Sequence, residues 1–559
     1  MSLVPHLRSE LDAGDQQKVL EIFESMQVKA AAARDTATGP LWTAATIIPV
    51  VGPNLRAVTE VAVSADDVVS QAVGPLLDKY DFLSGESYLS AEGRFDLAPL
   101  REAAPSISAA ENTARLSYER LQSLDLRAVV PQVADPIRSA TKQLEVLSDV
   151  LGTASSAAQL LPSMLGADGP RNYLVLVQNS AETRATGGIP GALAVLTAAD
   201  GKLTLEEQSS ASALGTFRPA VPVELEQTAL YTARLGTQMQ NVNLTPDFPT
   251  AAATAKSMWE VRHGDQTLDG VLALDAVVLR NLIGATGPVD VTDPQTLNLI
   301  ETTSLPNTLT EDNVVSTLLS DVYREIQDPA VQDAYFSSVA GQVFASFTEG
   351  NGDHAGLIRA LSASAQEDRL YVWSSRSSEQ SIIAATNLAG SVLGMAGDGA
   401  SFGVYFNDGT GAKMDYYASR TAQLLQTCQA DGYSRYTVRM TVTNNAPADA
   451  ATSLPTYVTG RGVYGVKPGS IRTNYVYYGP AQAFAERATV NGQPVPIGSG
   501  KHGQRPVGTV TLELAPGETA ELDVVFSHVV QDSDPKLKVT PGLEPIEKVI
   551  LPAERASCR

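Results

Sequence analysis

The feature that most constrains the fold is a change of texture at "ADGPRNYLVLV", residues 167–177. Before it the chain is alanine-rich, and Val19, Ile22, Phe23 and Met26 recur near a helical period, as do apolar residues in 53–80, 108–124 and 135–162. Proline and glycine interrupt that pattern at "TGP" (38–40), "VGP" (51–53) and "VVPQ" (129–132). The spacing predicts a helical bundle or stalk over residues 1–165, with its first helix starting near residue 5 and with no pocket chemistry of its own. One apolar stretch in it, "LWTAATIIPVVG" (41–52), has about half the length needed to cross a bilayer and contains Pro49. Burial where helices meet is its expected role, and a membrane-surface loop is the alternative.

Over residues 166–400 strand and helix signals alternate. "YLVLV" (173–177), "ALAVL" (192–196) and "GVLALD" (270–275) are short apolar runs bounded by turn residues, which suits buried strands. "PTAAATAKSMWEVR" (249–262) places Pro249 at a helix start, and "AVVLRNLIGATG" (276–287) reads as a helix closed by Gly287. Further helices are predicted at 310–348, 354–365 and near 378–393. Alternation of this kind implies a mixed α/β domain. Over residues 401–559 the period becomes two: in "YTVRMTVTNN" Val438, Met440 and Val442 share one face, and Thr437, Arg439, Thr441 and Thr443 the other. Regular turn signals there favour a β-sandwich. The expected class is multidomain α+β, since 559 residues exceed one hydrophobic core.

A net charge of −22 disfavours broad electrostatic binding to nucleic acid or an anionic membrane. The five histidines are scattered without ligand spacing, and Cys428 and Cys558 have no Cys/His cluster around them, so no zinc site is expected. The two cysteines suit a disulfide or two buried thiols equally. No signal peptide, lipidation motif or spanning helix is read in the sequence.

The richest stretch for chemistry is "QNSAETRATGGIPGALAVLT" (178–197), a loop between two strands. Gly187 and Gly188 permit a tight turn or close ligand approach. Arg184 has the fork geometry for a phosphate or carboxylate, and Glu182 suits cation coordination or acid–base work. An internal Glu182–Arg184 pair with a tight turn is the competing reading. Asn179, Thr186, Asn243 and Asp247 are further polar candidates, although Asp247 stands where a cap for the next helix belongs. Asp321 and Arg324, flanking Tyr323, share a helix face, the usual setting of a surface ion pair. Asp269 and Asp275 are about 20 Å apart along a strand, too far for one carboxylate pair. No Walker loop, dinucleotide fingerprint or GxSxG elbow is present.

Together, "RNYLVLVQNSAETRATGGIPG", "LTPDFPTAAATAKSMWE", "LDGVLALDAVVLRNLIGATGPVDV", "LTEDNVVSTLLSDVY" and "FNDGTGAKMDYY" resemble DUF4012, a bacterial cell-envelope family of unknown function. The resemblance implies an extracytoplasmic protein with a membrane anchor upstream of the abrupt opening "MSLVPHLRSEL", and it favours a Cys428–Cys558 disulfide. More distantly, 171–292 is similar to the LytR-CpsA-Psr transferases, which move wall polymers from a polyprenyl-pyrophosphate carrier. That likeness would make the central domain LytR-CpsA-Psr-like, with Arg184 a phosphate-binding arginine and Mg²⁺ a cofactor. Two departures stand out: "ATGG" replaces the aspartate expected after Arg184, and Arg324 alone answers a later arginine-rich segment.

Three functions follow. One is binding, and transfer, of wall polysaccharide or its polyprenyl-linked precursor, with Asn179, Arg184, Thr186, Gly187, Gly188, Asn243, Tyr323 and Arg324 holding it. A second is a glycoside hydrolase drawing its carboxylates from Glu182, Asp247 and Asp321. The third is a non-catalytic envelope scaffold. Glu182 and Arg184 are expected to share a cleft with Asn179 and with Asn243, Asp247 or Asp321.

Overall fold

A computed structural model describes residues 16–77, 93–348, 354–393, 399–428, 433–531 and 534–555. The expected helical start at 5–15 and the Cys428–Cys558 pairing lie outside the described residues. The chain divides into two compact units: residues 1–170 with 198–202, and residues 171–197 with 203–559.

The first unit is helical. Helix α1 (Gln16–Thr38) ends at "TGP", α2 (Val51–Asp67) begins at "VGP" and α4 (Pro131–Met164) begins in "VVPQ", as expected; α3 (Ala98–Gln122) has its limits elsewhere, and Pro105, Pro136 and Pro162 lie inside α3 and α4. Along α3 the buried residues are Ala103, Ile107, Ala110, Ala114, Ser117 and Leu121, a spacing of three and four that keeps one stripe facing inward. Most are small, so α4 packs closely against it through Leu151, Ser155 and Ala158. One expectation fails here: "LWTAATIIPVVG" is not buried between helices. Leu41, Ile47 and Val50 are 88%, 82% and 78% exposed. Among the described residues no helix is long and apolar enough to cross a membrane.

In the second unit a five-stranded sheet carries the α/β part. Its strands are β1 (Arg171–Asn179), β2 (Ile189–Ala199), β3 (Lys202–Ser210), β4 (Gly270–Asp275) and β5 (Tyr371–Ser374), in the order β3-β2-β1-β4-β5. Strands β1 and β4 are parallel, pairing Val175 with Leu272 and Leu176 with Ala273. Helix α5 (Phe248–Arg262) precedes β4 and lays Ala251, Ala252, Ala255, Met258 and Trp259 on the sheet, its alanines permitting close approach. Helix α6 (Ala276–Thr286) follows β4 directly, capped by Asp275, whose Oδ1 accepts from the backbone of Val277 and Val278. The single helix expected over 310–348 is broken: Ile326 is extended, and α7 (Pro329–Thr348) starts afresh at a proline. The helix expected near 378–393 is also shorter, Ser377–Ile383.

The carboxy-terminal part is two packed sheets. Strands β6 (Ser401–Asp408), β7 (Ala418–Cys428), β8 (Ser434–Asn444), β9 (Ile471–Tyr478), β10 (Phe484–Val490), β11 (Gln493–Val495), β12 (Gly498–His502), β13 (Arg505–Leu514), β14 (Thr519–Val529), β15 (Lys536–Val539) and β16 (Glu554–Arg555) form them. The sheet orders are β11-β10-β14-β8-β7-β16 and β12-β13-β9-β6-β15. The period-two reading of β8 holds. Val438, Met440 and Val442 face a shared core opposite Val524, Leu522 and Ala520 of β14, while Arg439 on the outer face forms a two-point pair with Asp523.

Candidate functional site

The carboxyl ends of adjacent parallel strands are where α/β sheets leave room for ligands, because the connecting segments diverge there. A half-open cleft of about 310 Å³ lies at that place, where β1 ends in Val177, Gln178 and Asn179 and β4 runs into Ala276. Its wall is apolar: Leu279 of α6, Leu318, Leu319, and Phe336 and Val339 of α7. At its polar end stand Asn179, Glu182, Tyr323, Asp333, Lys413 and Tyr457. An apolar cavity with a few convergent polar groups, of this size, is the usual form of a small-ligand site.

The loop that supplies Glu182 is held by a second segment far along the chain. Asp408 and Asp415 donate their backbone N–H groups to the carbonyls of Thr183 and Ala181, and Asn407 Oδ1 accepts from the Ala185 N–H. Asp415 Oδ2 accepts from the Thr183 N–H. These bonds pair backbone groups that burial would otherwise leave unsatisfied. They also explain why "SAETRATGG" and "FNDGTGAKMDYY" belong together, since each satisfies the other's polar atoms.

Within the loop the sequence candidates separate into two groups. Arg184 is 7% exposed; its guanidinium donates to Glu182 Oε1 at 3.1 Å and to the Thr183 carbonyl at 3.0 Å, and it does not line the cleft. Thr186, Gly188 and Asn243 form a buried cluster on Gln178, whose Oε1 accepts from Thr186 Oγ1 at 2.7 Å and from Asn243 Nδ2 at 3.0 Å. Gly187 stands at φ 128°, and a Cβ on Gly188 would lie 2.3 Å from the carbonyl carbon of Asn179. The glycines therefore serve chain return, and the expectation that Arg184 and Asn243 face the cleft is corrected: both are enclosed by their own hydrogen-bond partners.

Glu182 and Asn179 do reach the cleft. Asn179 donates from Nδ2 to the Tyr323 hydroxyl, and burial raises that phenol well above its ordinary value. Glu182 Oε2 lies 3.8 Å from Lys413 Nζ, which itself sits 4.8 Å and 5.2 Å from the ring centres of Tyr323 and Tyr457. A lysine between two aromatic faces is held by its ring contacts as well as by the carboxylate. Asp333, at the rim, has its carboxyl raised by partial burial, against the opposing influence of Ser210 and Lys413.

Other candidates lie elsewhere. Asp247 caps α5, accepting from Thr250 N and Oγ1 through Oδ2, while Oδ1 accepts from Ser391 Oγ and the Val392 N–H. Asp321 and Arg324 pair with each other at 2.6 Å on the surface, turned away from the buried Tyr323 between them. Asp269 and Asp275 neutralise different buried arginines, Arg171 and Arg369. Sequence reasoning missed Lys413, Asp333 and Tyr457. Lys413 lies in a quoted segment, "FNDGTGAKMDYY"; no local signal marks the other two.

Among the described residues no three Asp, Glu, His or Cys side chains are grouped to hold a cation, and in the cleft Glu182 is occupied by Arg184 and Lys413. The donor set does not match the ion that the transferase likeness would bring.

No curated protein matches the chain. A solved structure titled as the transcriptional regulator yvhJ from Bacillus subtilis is 11% identical, covering 38% of this chain and 76% of its own, at a TM-score of 0.22. Residues 168–323, which include the β1–β2 loop and Tyr323, match the model of the family described as Protein of unknown function (DUF4012), in agreement with the resemblance carried by their sequence.

Proposed function

We propose that this is an extracytoplasmic cell-envelope protein that binds wall polysaccharide, or the glycan of its polyprenyl-linked precursor, in the cleft beside Glu182. The observation that carries the reading is the meeting of an apolar wall with the Glu182, Lys413, Tyr323 and Tyr457 cluster in one cavity. A sugar offers hydroxyls to such a cluster and C–H faces to tyrosine rings and aliphatic walls. Binding is favoured over transfer from a pyrophosphate carrier. Among the described residues the cleft is lined by one cation, Lys413, against the carboxylates of Glu182 and Asp333, and the cation expected from the likeness, Arg184, is sealed behind Glu182. Calorimetric titration with fractionated envelope glycans, with and without magnesium, tests this. At least one fraction should bind independently of magnesium, and Glu182→Gln and Lys413→Met should each weaken it about tenfold, roughly 1.4 kcal/mol. Unchanged affinity in both variants removes the cleft from consideration.

A glycoside hydrolase is the second reading, and Asp333 favours it. A carboxyl raised by burial suits a general acid, and Glu182 lines the same cleft as the second carboxyl that such a reaction needs. Release of reducing ends from a bound glycan, abolished in Asp333→Asn, is the outcome that would support it.

A further inference from the structure

We propose that the connection between α1 and α2 is a membrane-inserting tip that places the helical unit against the interface of a lipid bilayer. The inference is independent of the cleft. From Thr36 to Leu55 the chain carries no charged side chain, in a sequence where charged residues make up 18%. At the centre of that stretch Leu41, Ile47, Ile48, Val50 and Val51 are 88%, 82%, 51%, 78% and 46% exposed. A contiguous apolar patch on a soluble surface marks a place of contact.

The tip is a built turn. Val50 stands at φ 71°, a conformation costly for a β-branched residue, and the Gly52 N–H donates to the Ile48 carbonyl at 2.7 Å. Gly52 comes so near Thr46 that a Cβ would lie 2.1 Å from its carbonyl oxygen. Trp42 is anchored from within the hairpin, its Nε1–H donating to Thr59 Oγ1 at 3.1 Å. Below the tip, charge is paired between helices: Arg34 holds Asp66 and Asp67, and Arg120 holds Asp67. The fold thus fixes apolar side chains outward and confines ions to the body of the bundle.

A bilayer interface is the occupant that fits. Five side chains at the end of a hairpin fall short of the roughly 800 Å² per partner that a stable protein interface needs. Lipid receives a convex apolar tip and demands only that no charge be buried with it. Because the chain carries a net charge of −22, apolar insertion rather than headgroup attraction would supply the affinity.

The full chain would be sedimented with phosphatidylcholine vesicles, with and without phosphatidylglycerol, at low and high salt. Partition into neutral vesicles should be insensitive to salt. It should fall at least tenfold in the triple variant Ile47→Ser/Ile48→Ser/Val50→Ser and in Ile47→Glu alone, with helix content unchanged by circular dichroism. Leu225→Ser, which alters an 86% exposed residue elsewhere, should leave partition intact. A parent chain that stays in the supernatant overturns the proposal, as does equal partition by the tip variants. Self-association lost in those variants would also overturn it, identifying a second copy as the occupant.

Discussion

Glu182 and Arg184 bond to each other at 3.1 Å and yet face different surroundings: the carboxylate lines the cleft, and the guanidinium is enclosed behind it. A buried guanidinium placed like this fixes the position of a binding carboxylate while making no ligand contact itself. Arg184→Met should therefore cost about 3 kcal/mol of stability, since it leaves Glu182 with Lys413 alone, at 3.8 Å. Lys413→Met should act the other way, weakening glycan affinity more than stability, because Glu182 keeps its nearer partner. Urea denaturation and calorimetry on both variants separate the two effects. Loss of binding in folded Arg184→Met alone would reverse the assignment.

The glycine pair is predicted to be needed for folding rather than for contact with a ligand. Gly188→Ala forces a Cβ to within 2.3 Å of the Asn179 backbone, which has no flexible end to give way, and should cost at least about 1–3 kcal/mol. The Asn179–Tyr323 bond would shift with it, so thermal denaturation should show a lower midpoint together with a changed tyrosine absorbance.

Asp408 predicts a pH dependence. Burial, together with the carboxylates of Asp415 and Glu182, pushes it up from 3.8 to about 7, prevailing over Arg184 and the Thr410 hydrogen bond. With the folded value above the unfolded one, its contribution to stability is fully present below about pH 4 and is lost as pH rises through 7. Between those values the stability of the parent relative to Asp408→Asn should fall by up to about 1.4 kcal/mol per pH unit. Denaturant midpoints of both proteins from pH 4 to 8 check this, and parallel curves would show that the group titrates normally.

Asp247 is expected to be structural. Asp247→Ala removes the α5 cap and the acceptor for Ser391 and Val392, and should cost about 1–2 kcal/mol while leaving glycan affinity within twofold. A selective loss of affinity would return Asp247 to the site.

Features written in short-range pattern were legible without coordinates. The alternation in "YTVRMTVTNN" determined which face of β8 is buried, and Asp247 and the Asp321–Arg324 pair have the roles that local spacing suggested. The loop at 178–197 was recognisable as a dense polar turn, but its two readings could not be told apart, because Glu182 and Arg184 are only two residues from each other and either could have faced outward. The continuous pattern over 310–348 hid the break at Ile326, and the apolar stretch 41–52 gave no sign that Leu41, Ile47 and Val50 stand exposed.

The sequence by itself determined the fold class and the buried face of strands such as β8, because those depend on backbone hydrogen bonding and on residues two to four positions apart. Only tertiary structure decided that Lys413 from the loop after β6, Asp333 from α7 and Tyr457 meet Glu182 at the end of β1. Residues up to 275 positions apart are brought together there by core packing, a sum of many weak contacts that no single segment encodes. The same packing turned Arg184 inward and left Ile47 and Val50 exposed.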